Sequence, residues 1–154
     1  MSDLKQQQEK YITERVLDQY NWYDTKSSFN KKWFYFYRTL VIASGALIPL
    51  LVGYADEQTP FFNHIAGALG VVVVIAEGML SQRKYQENWS IYRMTAERLK
   101  REKLLFENGV GDDYAAGDVV AFRNFVVKTE QILASENEEW KALVESLKKQ
   151  EQNS

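Results

Sequence analysis

The fold is decided by residues 33–82, which read WFYFYRTLVIASGALIPLLVGYADEQTPFFNHIAGALGVVVVIAEGMLSQ. Two apolar segments of equal length, residues 33–55 and 60–82, flank a short polar turn at residues 56–59, and each contains one charge, Arg38 or Glu77. About 20 apolar residues in an α-helix cross the roughly 30 Å hydrocarbon core of a bilayer. The sequence therefore predicts two transmembrane helices. A buried hairpin in a soluble protein is the less favoured alternative, because Val41–Val52 has almost no polar face.

The turn predicts an antiparallel hairpin. Thr59 is a good helix N-cap, and Pro60 suits the first helical position, where its missing N–H costs nothing. Asp56 and Glu57 are the only charges of the turn. Since basic residues concentrate on the cytoplasmic side of membrane proteins, both termini are expected in the cytoplasm of a multi-pass protein of the cell membrane. The basic residues at the opposite ends of the two segments are Lys26, Lys31, Lys32, Arg38, Arg83 and Lys84.

The rest of the chain predicts long amphipathic cytoplasmic helices, so that the fold class is all-α. Residues 1–28 are expected to form an N-terminal helix with a break near Asp24–Ser28, residues 29–82 the hairpin, and residues 83–154 a helical region with helices at about 83–108 and 118–149. Because no Gly or Pro occurs between Met79 and Asn108, the second span is expected to continue as one helix to about Glu107. Gly109 and Gly111 are expected to end it.

Apolar side chains recur in steps of three and four along these cytoplasmic helices, as in a helix-packing seam. Such seams predict a helical bundle, formed either within one chain or between copies of it. We expect a homo-oligomer, but the pattern allows both arrangements. The seam residues are Tyr85, Trp89, Tyr92 and Leu99 in the first helix and Trp140 and Leu143 in the last.

Arg38 and Glu77 are predicted to lie at the same depth. Residues of an antiparallel hairpin centred between Glu57 and Gln58 pair when their numbers add to about 115, and these two satisfy that condition. The favoured interpretation is an ion pair that holds the hairpin together. The alternative is that Glu77 contributes to a ring of carboxylates that attracts cations in an oligomeric pore. Both interpretations hold if the pair forms between subunits.

Small and polar residues follow one face of each predicted span. Small residues allow close approach of helices in lipid, where hydrophobicity cannot drive their association, so helix packing is the favoured interpretation and a pore-lining stripe the alternative. Pro49 is also expected to kink the first span. The residues are Gly45, Pro49 and Gly53 in the first span, and Asn63, Gly67, Gly70, Glu77 and Ser81 in the second.

The composition argues against several functions. The chain has no Cys, a formal net charge of −2 and one histidine, His64. These features leave no thiolate or His-based metal site and no basic surface for nucleic acid. Three carboxylates, Asp112, Asp113 and Asp118, lie in a Gly-containing loop and could bind a divalent cation, but their spacing does not match a calcium loop and suits turn formation and helix capping better. With no phosphate loop or nucleophile elbow either, we expect no enzyme activity, no cofactor and no metal.

Two motifs resemble a known family. The first is the aromatic and basic stretch Lys31–Arg38, and the second is NWSIYRMTAERLK at residues 88–100. Together with the hairpin, they make residues 20–114 similar to the SLATT-type two-span membrane domains of bacteria, in the branch described as a domain of unknown function. The resemblance implies a pore-forming effector of bacterial conflict, opened by a nucleotide signal and located in the inner membrane. The first functional hypothesis is therefore an oligomeric pore or ion channel in the lipid bilayer. The alternative is a non-enzymatic membrane anchor or adaptor whose cytoplasmic helices bind a partner protein.

Overall fold

The computed structural model describes residues 2–55, 59–115 and 119–135, which are mostly helical and include no strand. The all-α class is therefore confirmed. The elements are α1 (Ser2–Tyr11), a π-helical segment (Ile12–Leu17), α2 (Asp18–Tyr54), α3 (Phe61–Arg83), α4 (Tyr85–Glu107) and α5 (residues 119–135). The chain divides into two compact units, which we call the hairpin unit, Ser27–Ser90, and the tail unit, the described residues of Met1–Lys26 and Ile91–Ser154.

Two helical stretches are long and apolar enough to cross a membrane. They are the apolar parts of Asp3–Tyr54 and Phe61–Glu107, and only 6% and 11% of their apolar windows are buried within the molecule. The core helix of a soluble protein would be mostly buried by its own chain. These two helices instead leave large apolar side chains uncovered, among them Ile42, Leu50 and Val74.

The apolar segments of the hairpin unit pack through small side chains. Ser44 of α2 and Ala66 and Ala76 of α3 are buried, at 2%, 7% and 2% exposure, while the larger aliphatic residues around them remain exposed. Small residues on facing helices allow a close approach of the two backbones without displaced side chains. The residues that pack this unit therefore differ from the glycines that the sequence suggested.

The tail unit contains a helical bundle formed within one chain. One buried cluster joins Val16, Tyr114, Ala121 and Phe125, and the Phe106 and Phe125 rings are stacked with their centroids 4.4 Å apart. A second cluster contains the buried residues Tyr23, Ala96, Leu99 and Leu133. The sequence left open whether the seam residues pack within one chain or between copies. The described seam residues of this unit, Tyr92 and Leu99, pack within the chain. Trp140 and Leu143 lie outside the described residues.

A polar cluster fastens α5 to the N-terminal helix. Arg15 donates to both oxygens of the Glu130 carboxylate, from Nε at 3.0 Å and Nη2 at 2.8 Å, and the Tyr11 hydroxyl donates to Oε1 at 3.1 Å. The hydrogen bonds from Arg15 hold the pKa of Glu130 below its usual value. Burial and the neighbouring Glu130 carboxylate raise the pKa of Tyr11 to about 12.

The predicted break near Asp24–Ser28 is wrong, because α2 runs without interruption from Asp18 to Tyr54. Weak helix formers cost only a few tenths of a kcal/mol each, and tertiary contacts exceed that cost here. Asp24 accepts a hydrogen bond from Arg93 at 3.0 Å, within the tail unit. The Ser27 hydroxyl is buried and donates to the carbonyl of Trp89 at 3.4 Å, within the hairpin unit.

The second predicted helix is not continuous, since Lys84 has a left-handed backbone conformation, with φ 50° and ψ 40°. Two hydrogen bonds from Asn88 accompany this break, one from its side-chain Nδ2 to the Arg83 carbonyl at 3.1 Å and one from its backbone N–H to the Lys84 carbonyl at 3.0 Å. Helix α4 then ends at Glu107, as predicted, where Gly109 and Gly111 adopt positive φ angles of 60° and 101°.

Candidate functional site on the hairpin unit

The two charges of the apolar segments meet in the hairpin unit. Arg38 Nη1 lies 3.5 Å from Glu77 Oε1, and the two side chains are 54% and 48% exposed. The structure thus brings together the two residues that the depth argument paired, and it does so within one chain. At this length and exposure the pair contributes little to stability, because exposed ion pairs are worth at most about 1 kcal/mol in water. Its two charged groups remain accessible from outside the chain.

The polar stripe of α3 is mostly exposed. Asn63, Gly67, Glu77 and Ser81 are exposed and Gly70 is half-buried, whereas the helix buries Ala66 and Ala76. Residues three and four apart in an α-helix share a side of the helix. Buried Ala66 is three residues from Asn63 and four from Gly70, so the stripe borders the packed side of α3. Packing within this chain nevertheless leaves the exposed members of the stripe uncovered.

The predicted packing glycines have open space where a side chain would be. A Cβ atom added at Gly45, Gly53, Gly67 or Gly70 would meet no atom within 4 Å. Pro49, on the same stripe of α2 as Gly45 and Gly53, is also exposed. These residues are consequently free to pack against something outside this chain, and helix packing through them remains a prediction for contacts between copies.

Aromatic side chains cluster at the end of the hairpin unit where α3 meets α4, which we call the foot. The Tyr37 ring stacks on Trp33 with centroids 5.6 Å apart and on Tyr85 at 5.9 Å. Lys31 Nζ lies 5.4 Å from the centroid of the Trp89 ring, in the range of a cation–π contact. Two predicted seam residues, Tyr85 and Trp89, therefore contact aromatic or basic side chains of α2, whereas Tyr92 and Leu99 pack in the tail unit.

A cavity of about 390 Å³ opens at the foot. The sequence did not predict this cavity, because Arg83 indicated only the orientation of the hairpin and no role was predicted for Asn30 or Asn88. One indication was available, because Asn88 begins the 88–100 motif. The lining includes Asn30, Trp33, Tyr37, Arg83, Tyr85 and Asn88.

No metal centre is formed by the described part of the chain, in which no three His, Asp or Glu side chains come together. His64 is exposed on α3. In the loop after α4, Asp113 forms an ion pair with Lys128 of α5, and its carbonyl accepts from Asn124 at 2.9 Å. Asp113 thus has a structural partner, and Asp118 lies outside the described residues.

Residues 18–116 match the model of a family described as Protein of unknown function (DUF4231). This range includes both apolar segments, the foot and the 88–100 motif. No curated protein and no solved structure matches the chain.

Proposed function

The chain belongs to the DUF4231 family, and we propose that it is a subunit of a homo-oligomeric membrane protein that forms a pore or ion channel. The observation that carries this proposal is the half-exposed Arg38–Glu77 pair on helices that are otherwise apolar and uncovered. The pair needs a polar environment that neither lipid nor the rest of the hairpin supplies.

Membrane insertion is supported by the exposure of both apolar segments. Burying apolar surface is worth about 25 cal/mol per Å², and the chain covers almost none of these windows itself. A bilayer supplies the missing apolar environment. In the proposed orientation both termini are cytoplasmic, because the foot contains Lys31, Lys32, Arg83 and Lys84, and the inner membrane of a bacterium is the proposed location.

Oligomerisation is supported by the position of Glu77 along α3. Glu77 precedes Arg83 by six residues, or about 9 Å of helix. This places it towards the inner edge of the hydrocarbon region when Arg83 is at the headgroups. Ionisable residues at such depths almost always face a bundle interior or a water-filled cavity. Two helices cannot enclose a cavity by themselves, so several copies would have to surround it.

The exposed stripe of α3 is the proposed lining of the pore. It combines hydrogen-bonding side chains, Asn63 and Ser81, with the carboxylate of Glu77 and with small residues that leave space for water. A ring of carboxylates favours cations over anions. The proposed activity is therefore passive permeation of cations without any enzymatic step. The resemblance to SLATT domains adds the proposal of an effector in bacterial defence, opened by a nucleotide signal.

The experiment is ion flux from liposomes containing the purified full chain. Wild-type protein is expected to release K⁺ faster than Cl⁻, and Glu77→Gln is expected to lower the cation flux several-fold because the carboxylate is lost while the side-chain size is kept. The matched control is Glu87→Gln, a carboxylate on α4 outside the apolar segments, which should leave the flux unchanged. A chain that is monomeric by cross-linking in the same liposomes, with no flux, would contradict the proposal.

A membrane adaptor is the second candidate, and one observation favours it. Helix α5 exposes Val119, Val120 and Val127, at 67%, 49% and 48%. Exposed apolar side chains of this kind suit a partner protein. The described seam residues Tyr92 and Leu99 are already packed within the tail unit. The proposed contact surface for a partner is therefore the three exposed valines of α5. Loss of partner binding in Val127→Asp, with flux absent from the wild type, would favour this function over the pore.

A further inference from the structure

The cavity at the foot has the size and the walls of a small-ligand site. Its volume of about 390 Å³ lies within the range of roughly 300–1,000 Å³ that is common for such sites. The aromatic side chains Trp33, Tyr37 and Tyr85 form much of its lining, and the stacking of Tyr37 on the other two keeps them in place. Such a lining can hold a ligand through both apolar contacts and its π faces.

Arg83 supplies a free positive charge to this lining. Among the described residues it is in no ion pair, although Arg38, Arg15 and Arg93 each have a carboxylate partner. The guanidinium is exposed, and Lys84 follows it directly in the chain. Because guanidinium groups bind phosphate through two parallel N–H donors, an anionic phosphate is the group that Arg83 suits best.

Asn88 supplies an acceptor that lacks a donor. Its Nδ2 donates to the Arg83 carbonyl at 3.1 Å, but its Oδ1 is covered and has no hydrogen-bond partner in the part of the chain that the structure describes. Buried acceptors without a donor are rare, and each requires an explanation. A ligand that displaces the atoms covering Oδ1 would provide the donor.

We propose that this cavity binds the headgroup of a phospholipid, with the phosphate on Arg83 and a hydrogen-bond donor of the headgroup on Asn88 Oδ1. The proposal rests on the membrane insertion proposed above, but it does not depend on conduction. A primary ammonium or a hydroxyl group satisfies Oδ1, whereas a trimethylammonium group has no N–H to donate. The site should therefore select phosphatidylethanolamine and phosphatidylglycerol over phosphatidylcholine.

The test is native mass spectrometry of the full chain released from nanodiscs that contain these three phospholipids in equal parts. The wild type is expected to retain phosphatidylethanolamine or phosphatidylglycerol at about ten times the level of phosphatidylcholine, the ratio that one hydrogen bond of typical strength supplies. Arg83→Gln should lose most of the retained lipid. The matched control, Lys32→Gln, removes an exposed cation of the same unit that does not line the cavity, and it should retain the lipid.

Two further variants separate the parts of the proposal. Asn88→Leu should lower the retention of phosphatidylethanolamine and phosphatidylglycerol to about that of phosphatidylcholine, and Glu77→Gln should leave lipid retention unchanged whatever it does to ion flux. Arg83 is exposed, so Arg83→Gln tests the phosphate contact even if Asn88→Leu disturbs folding.

Equal retention of all three lipids by the wild type, or unchanged retention in Arg83→Gln, would overturn the proposal. Displacement of the lipid by millimolar soluble phosphoethanolamine would also overturn it, because the ligand would then be a soluble phosphate ester. Protein that fails to enter nanodiscs at all would instead refute membrane insertion.

Discussion

Arg38 and Glu77 meet because the geometry of a hairpin relates depth to residue number. Both helices rise by 1.5 Å per residue, so two positions equally far from the turn lie at the same level. Only the centre of the turn had to be located, and the residues Asp56–Pro60 located it. The resulting contact of 3.5 Å is the part of the candidate site that the sequence predicted most directly.

The Arg15–Glu130 pair gives a prediction for the tail unit. Glu130→Gln is expected to lower the free energy of unfolding at pH 7 by about 0.5–1 kcal/mol, because both side chains are 44% exposed and solvent screens the pair. Since the pKa of Glu130 is lowered in the folded state, its contribution is present above the pKa of the unfolded carboxyl, about 4.5, and is lost as the pH falls through the lower folded value. Thermal unfolding of the full chain in detergent between pH 7 and pH 3 measures the effect.

The difference in melting temperature between wild type and Glu130→Gln should be constant from pH 7 to pH 5 and should then shrink towards zero. Glu14→Gln is the control, since Glu14 is an exposed carboxylate of the same N-terminal region. A difference that grows on acidification would show that the Glu130 carboxylate is not stabilised by Arg15.

Asn88 shows why the rest of the site could not be predicted from the sequence. Its residue type is common in helices and caps, and its place within the 88–100 motif gave no chemical role. The role arises only when the break at Lys84 brings its Nδ2 to the Arg83 carbonyl and leaves Oδ1 without a donor. A cavity depends on where helices diverge, and this depends on tertiary contacts that periodicity does not contain.

At the level of helices, the length and composition of the apolar segments predicted two long helices correctly, but the breaks between helices were predicted at the wrong residues. The sequence placed a break among Asp24–Ser28, where propensities are weak, and none at Lys84, where they are strong. In the structure, α2 is continuous through Asp24–Ser28, and the break lies at Lys84. Propensity differences of a few tenths of a kcal/mol are smaller than one buried hydrogen bond or one packed aromatic pair, so contacts decided both positions.

The left-handed conformation of Lys84 predicts an unusual response to substitution. A non-glycine residue in this conformation costs about 1–2 kcal/mol, so Lys84→Gly should leave the melting temperature unchanged or raise it slightly, after allowance for the greater entropy of the unfolded chain. Lys84→Ile should lower it, because a β-branched side chain is strained at positive φ. Thermal unfolding of the full chain in detergent gives the comparison.

Lys32 provides the matched control for Lys84. It is an exposed lysine within the continuous helix α2, where glycine costs about 1 kcal/mol and isoleucine costs less. The order of the glycine and isoleucine variants should therefore be opposite at the two positions. The same order at both would mean that Lys84 is an ordinary helical residue and that α3 and α4 form one helix.

For the whole molecule, the two units distribute apolar and polar surface in opposite ways. The tail unit buries large side chains such as Phe125 and Leu99 completely, as a bundle in water does. The apolar segments of the hairpin unit bury only Ser44, Ala66 and Ala76 among their described residues, and they expose large residues such as Ile42 and Val74. The exchange of large for small buried residues is the pattern of helices that pack in lipid, and it is independent of the hydropathy on which the span prediction rested.

The exposed stripe of α3 supplies the prediction that tests the assembly. Gly67→Leu is expected to weaken association in lipid by about tenfold, or about 1.4 kcal/mol, because the added side chain separates helices that otherwise approach at glycine. Ala68→Leu is the control, since Ala68 is exposed at the same depth but points about 100° away around the helix. A Cβ atom at Gly67 meets nothing within 4 Å in the chain itself, so an effect of this variant reports contacts between copies. Energy transfer between labelled subunits, followed as the lipid-to-protein ratio is raised, measures the association. Equal behaviour of the two variants would mean that the stripe faces lipid, in which case Glu77 would lie at the surface of a single hairpin and the pore would lose its lining.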